Sequence, residues 1–126
     1  MSATQPKIPT HFRLDVEPER DVVRVCPRGE VDLATAGTIG EQIDDLRSLG
    51  FARVVLDLRG VTFLDSSGLH LALDLTRASH AHGWEFALIA GPAHVQRVFE
   101  VTCVGSLVVF VEPAHVRFAR SGKAWR

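Results

Sequence analysis

Val61-Thr62-Phe63-Leu64-Asp65-Ser66-Ser67-Gly68-Leu69 reads as a buried strand that runs straight into the start of a helix. A carboxylate and two hydroxyls follow the apolar run. Behind them Leu69, Leu71, Ala72, Leu73, Leu75 and Ala78 make an apolar stripe wide enough to be largely buried, and Gly83 ends it. The spacing predicts a helix from about Ser67 to His82. Asp65 or Ser66 is then a candidate N-cap, its side-chain oxygen accepting a hydrogen bond from an unpaired amide of the first turn. The same amides, at the positive end of the helix dipole, also suit a phosphate carried by a serine placed there. The two readings are compatible, because a capping serine can also be a phosphoacceptor.

Upstream, Val54-Val55-Leu56-Asp57-Leu58 is short and nearly continuous in apolar character, as expected for a strand covered on both faces in a parallel sheet. Ala36, Ile39, Ile43 and Leu46 before it have amphipathic helical spacing, with Gly50 as the stop. Earlier still, Phe12, Leu14 and Val16, then Val23 and Val25, alternate with polar neighbours or Cys26 and flank the turn-like stretch from Glu17 to Asp21, which predicts a hairpin.

Downstream, Phe86 to Ala90 reads as a further buried strand broken by Gly91-Pro92, and Val95, Val98, Phe99 and Thr102 lie at helical spacing. Leu107 to Val111 is expected to close the sheet, and a short fourth helix is expected from Ala114. The alternation predicts one α/β domain: a mixed, mostly parallel sheet with an N-terminal antiparallel hairpin, packed by about four helices. Its expected bounds are residues 12–116, with a flexible N-terminus over 1–11 and a basic tail over 117–126.

A chain of 126 residues has room for one domain. Its longest apolar runs, Phe86 to Ala90 and Leu107 to Val111, are five residues each, far too short to span a bilayer. The N-terminus lacks the layout of a secretory signal, so a cytoplasmic location without membrane attachment is expected. Cys26 and Cys103 are too few for a disulfide framework, and both read as reduced core thiols.

Fourteen basic against fifteen acidic side chains give a net charge of −1, which disfavours direct nucleic-acid binding. Four of those cations, Arg117, Arg120, Lys123 and Arg126, lie in the tail. Glu30, Asp32, Glu41, Asp44 and Asp45 precede the next cation, Arg47, and read either as a solvated face or as a docking surface for a basic patch.

Three stretches, in order around matching strands, resemble the STAS domain, specifically the small bacterial anti-sigma factor antagonists. They are Gly29-Glu30-Val31-Asp32-Leu33-Ala34-Thr35-Ala36, then Val55 to Leu58 with Val61 to Leu69, and Gly91-Pro92 through Val98 to Thr102. The resemblance implies partner switching. The antagonist binds an anti-sigma factor that is a serine kinase, frees the sigma factor, and is switched off when that kinase phosphorylates it.

Carried onto this motif, the acceptor is Ser66, and Asp32, Thr35, Asp65, Ser67 and Gly68 are the expected partner-binding or switch-site residues. Asp32 is expected beside the acceptor, where its carboxylate could bond the serine and would repel a phosphate, or alternatively as the cap of the first helix. The chain departs from the family at His70, commonly a small residue, and at Cys103, where the third helix usually ends in glycine.

The alternatives are a STAS scaffold or ligand sensor that is not phosphorylated and, in another class, a small serine hydrolase. A hydrolase would need a histidine base, for which only His94 or His70 could be invoked, and Gly-x-Ser-x-Gly is absent around Ser66. His80 and His82 face different ways on a helix, while His70 and Asp74 share a face without a third ligand, so no metal is expected. No phosphate-binding glycine loop is present, so no cofactor is expected either, and any nucleotide would come with the partner.

Overall fold

The alternating apolar residues near the start of the chain do form a hairpin in the computed structural model, which describes residues 12–116. Strands β1 (Arg13–Glu19) and β2 (Val22–Val31) pair antiparallel across a tight turn where Arg20 takes φ +62°. Helix α1 (Leu33–Ser48) returns the chain to β3 (Arg53–Asp57), which pairs parallel with the first half of β2. After a short turn, β4 (Val61–Leu64) pairs parallel with the last residues of β2. Helix α2 (Ser66–His82) leads to β5 (Glu85–Ile89), parallel to β3, and α3 (Ala93–Val101) follows. The sheet order is β1-β2-β3-β5, with β4 beside the far end of β2. This is a mixed sheet in one α/β domain.

Strand β2 therefore holds two partners in succession on one edge. The handover occurs where its register with β4 shifts between Gly29 and Glu30, and Gly29 has φ +117° there, a conformation that favours glycine. The Gly29 amide donates to the Gly60 carbonyl at 3.1 Å, fixing the crossing.

On one face of the sheet, Val23, Val25, Val54, Leu56, Phe86 and Leu88 pack with Ala36, Ile39, Ile43 and Leu46 of α1 and with Leu69, Ala72 and Leu75 of α2. The four α1 positions are the ones its spacing selects. On the other face, Val22, Val55, Ala87 and Ile89 meet Val111 and Val116. Here Asp57 is buried. Burial pushes its carboxyl up, yet the Arg59 guanidinium, at 2.7 Å, and the Arg59 amide, at 3.0 Å, hold it below the usual carboxylate range. Burial beside that carboxylate pushes the Cys26 thiol up to about 11, so it stays protonated.

Several expectations need correction. Three helices cover the sheet, and the fourth is a single turn, α4 (Pro113–Val116), started by a proline that fixes φ but donates no amide. The tail beyond it, and residues 1–11, lie outside the described residues. Leu107 to Val111 is not a full strand: a 3-10 turn takes Val104–Leu107, and only Phe110 bridges to Leu88.

Strand β4 is buried at its ends only, with Thr62 exposed and Phe63 50% exposed. It pairs with β2 alone among the described strands, and α3 reaches its middle at its backbone. Cys26 is buried, but Cys103 is exposed, because the chain leaves α3 there in a left-handed turn, φ +62°, that points the side chain to solvent. Among the described residues no helix is long and apolar enough to cross a membrane.

Candidate functional site

Two helices begin side by side at the end of β2 and β4. Val31 and Leu64 are register partners, and the Asp65 amide donates to the Val31 carbonyl at 3.2 Å. Asp32 follows one strand and Asp65 the other, and each is the N-cap of the helix behind it. The local reason is the same in both. An apolar strand end is buried, and the next residue is an aspartate whose extended backbone lets its carboxylate turn back to an unpaired amide.

The start of α1 is closed. Asp32 Oδ1 accepts from the Thr35 amide at 3.1 Å, and the Asp32 amide donates to Thr35 Oγ1 at 2.8 Å, a reciprocal capping box. Thr35 Oγ1 donates in turn to the Glu30 carbonyl at 2.8 Å, and the residue is 0% exposed. The Thr35 amide bond also holds the Asp32 carboxyl below its ordinary value. Of the two readings of Asp32, the geometry shows the cap of α1, and the pairing of Val31 with Leu64 sets the strand end that Asp32 follows next to the one that Asp65 follows. The Thr35 hydroxyl is committed inside the fold.

The start of α2 is open. Asp65 Oδ1 accepts from the Ser67 amide at 2.8 Å, while the Gly68 and Leu69 amides go to the Asp65 carbonyl at 3.0 and 3.3 Å. Ser66, the first helical residue, is exposed, and among the described residues its hydroxyl makes no hydrogen bond. Ser67 is half-buried. Gly68 is buried so tightly that a Cβ there would lie 2.6 Å from Leu64 Cγ. Only a glycine lets the first turn of α2 settle onto the end of β4.

The remaining candidates fall elsewhere. His70 and Asp74 are exposed on α2, and Asp74 lies 3.9 Å from Arg77 instead. The His82 ring sits 3.1 Å from the Ala78 carbonyl. His94 is not beside a serine: its Nε2 lies 2.7 Å from the Thr62 carbonyl. Among the described residues no three histidine, cysteine or acidic side chains are grouped to hold a metal ion.

Sequence reasoning missed the roles of the Glu30 and Val31 carbonyls, of Leu64 and of Thr62. A usable signal was present in the repeated pattern of an apolar residue, an aspartate and a hydroxyl, once at Val31-Asp32 with Thr35 and once at Leu64-Asp65 with Ser66.

A family model described as the STAS domain matches residues 13–116. Osmosensory protein A of Mycobacterium tuberculosis is 35% identical over 74 residues, 59% of this chain, but the match spans only 46% of that protein, so the chain covers about half its length. The anti-sigma-B factor antagonist of Staphylococcus aureus is 26% identical over 80 residues, 64% of this chain and 74% of that one.

Among solved structures, an anti-sigma factor antagonist from Mycobacterium paratuberculosis has a TM-score of 0.73 at 24% identity, covering 89% of this chain and 96% of that one. The Bacillus cell fate determinant SpoIIAA in its phosphorylated form has 0.60 at 22%, covering 82% and 93%. These two likenesses show the fold.

Proposed function

The chain belongs to the STAS domain family, and on that premise we propose that it is an anti-sigma factor antagonist. It binds an anti-sigma factor that is a serine kinase, and it is released when that kinase phosphorylates Ser66. Its action is binding, without a catalytic step of its own, in the cytoplasm. One observation supports the assignment of the acceptor: of the hydroxyls at the paired helix starts, that of Ser66 is exposed and makes no hydrogen bond among the described residues, whereas Thr35 is sealed. The name of the S. aureus relative supports the partner class.

A phosphate on Ser66 adds close to two negative charges at the first residue of α2. The first-turn amides offset part of that charge. Asp65 directly precedes it and Asp32 caps the neighbouring helix, so a partner whose surface suits the neutral serine meets a charge that it must desolvate or repel. Asp32 thus acts twice, as a cap and as a fixed charge at the docking surface. Gly68 serves by seating the first turn.

The experiment is incubation with the cognate anti-sigma kinase and ATP, followed by mass spectrometry. The expected modification is on Ser66, absent in Ser66→Ala. Ser66→Asp should weaken kinase binding about tenfold, near 1.4 kcal/mol, while Ser66→Ala retains it. Modification of Ser67 in a Ser66→Ala protein, or equal affinity of all three forms, would overturn the assignment.

A further inference from the structure

Strand β4 delivers the proposed acceptor to the sheet end with few means of support. It is four residues long, its two central side chains are exposed, and its ladder with β2 already contains the register shift at Gly29/Glu30. Hydrophobic packing therefore holds its ends, through Val61 and Leu64, and leaves the middle to hydrogen bonds.

One of those bonds comes from outside the sheet. His94 Nε2 lies 2.7 Å from the Thr62 carbonyl, 32 residues away in sequence. A carbonyl only accepts, so the imidazole carries a proton on Nε2 in this contact. His94 is the second residue of α3, whose own N-cap, Pro92, offers no side-chain bond. That helix start is nevertheless well fixed, because Val95 and Phe99 are buried in the core and the Gly91 amide donates to Gln96 Oε1 at 2.9 Å. The imidazole thus ties a short, half-exposed strand to an anchored helix, four residues before Ser66.

We propose that His94 is a positioning residue for the switch: by holding the Thr62 carbonyl it fixes β4, and through Leu64 and Asp65 it fixes the place at which Ser66 meets the kinase. This rests on the reading of Ser66 as the acceptor. His94 touches neither the acceptor nor the transferred phosphoryl group in this role. Its effect is geometric, and a misplaced acceptor lowers the rate of a positioned transfer without abolishing docking.

The test uses the full chain as wild type, His94→Ala and His94→Gln, since the glutamine amide can donate a hydrogen bond in the same role. Amide exchange is followed alongside melting temperature, and Ser66 phosphorylation by the cognate kinase is followed at varied antagonist concentration. His94→Ala should raise exchange across Thr62 to Ser67 about fivefold, the size of one lost neutral hydrogen bond, with β3 and β5 unchanged. It should lower kcat for phosphorylation by a similar factor with KM unchanged, and His94→Gln should restore both.

Unchanged exchange over that segment, or a rise shared equally by β3 and β5, would overturn the positioning role. So would phosphorylation of His94→Ala at the wild-type rate while wild type is modified on Ser66. A wild-type protein that the kinase leaves unmodified on Ser66 overturns the reading of the acceptor itself, and the exchange data then stand apart from it.

Discussion

The two helix starts at the end of β2 and β4 differ in what their hydroxyls do. At α1 the aspartate cap is answered by Thr35, whose hydroxyl is buried and bonded on both sides. At α2 the aspartate cap reaches only the Ser67 amide, and the hydroxyl of Ser66 stands in solvent. Both begin with the same solution to the same problem, an unpaired first turn after a buried strand. The difference teaches that a cap and a free hydroxyl are separable: at α2 the carboxylate does the capping and leaves the serine uncommitted, whereas at α1 the threonine is spent on structure.

The largest break in this comparison comes from the glycines. Gly68→Ala would place a Cβ 2.6 Å from Leu64 Cγ, so the first turn of α2 must lift or Leu64 must move. The expected loss is about 2 kcal/mol, lowering the melting temperature by roughly 10 °C. In α1 the matching experiment has the opposite sign. Gly37 has nothing within 4 Å of an added Cβ, so Gly37→Ala should stabilise the protein by about 0.5–1 kcal/mol through helix propensity. Thermal melts of the two variants check both signs.

The hydroxyls sharpen the contrast. Thr35→Val keeps the shape but strips the Asp32 amide and the Glu30 carbonyl of a partner, and should cost about 1–2 kcal/mol in urea unfolding. Ser66→Ala should stay within about 0.5 kcal/mol of wild type in the same assay. Equal losses at the two positions would erase the distinction between a closed and an open start.

The smallest effect is in pH. Asp32 is lowered by its bond from the Thr35 amide, and Asp57 is lowered because Arg59 outweighs its burial. A carboxylate depressed in the fold contributes stability above its unfolded value, about 3.9, and loses it as pH falls through its folded value. Unfolding free energy should therefore decline as the solution is acidified below about pH 5. Asp57→Asn should flatten that limb, and Asp32→Asn should flatten it slightly while leaving the capping geometry in place. Urea titrations across the acid range read the slope directly.

The sequence shows α1 and α2 plainly because their apolar spacing survives any neighbour. It shows β3 because an apolar run of that length has to be covered on both faces. Strand β2 was legible only in its first half: Pro27 and Gly29 look like breaks, yet Gly29 serves a register shift inside the strand. Leu107 to Val111 is a different case: the segment lies beside β5, but a 3-10 turn takes Val104–Leu107, so its contact with the sheet shortens to one bridge at Phe110.

At the candidate site, both caps follow from an aspartate at a strand exit. The burial of Thr35 does not, because it depends on the Glu30 carbonyl coming within reach as the chain reverses. The crowding at Gly68 and the bond from His94 to Thr62 join segments whose proximity no local pattern encodes.

The openness of Ser66 also bears on how such a protein can change over generations. Because the fold asks nothing of that hydroxyl, a substitution there would alter the proposed regulation alone, and its descendants would inherit an intact domain. Under the proposed function, a line of proteins could therefore lose the switch, fix it in one state or regain it by single steps without passing through unstable forms. At Thr35 the same single steps would first have to survive as folded protein, so selection acts on that residue for a different reason.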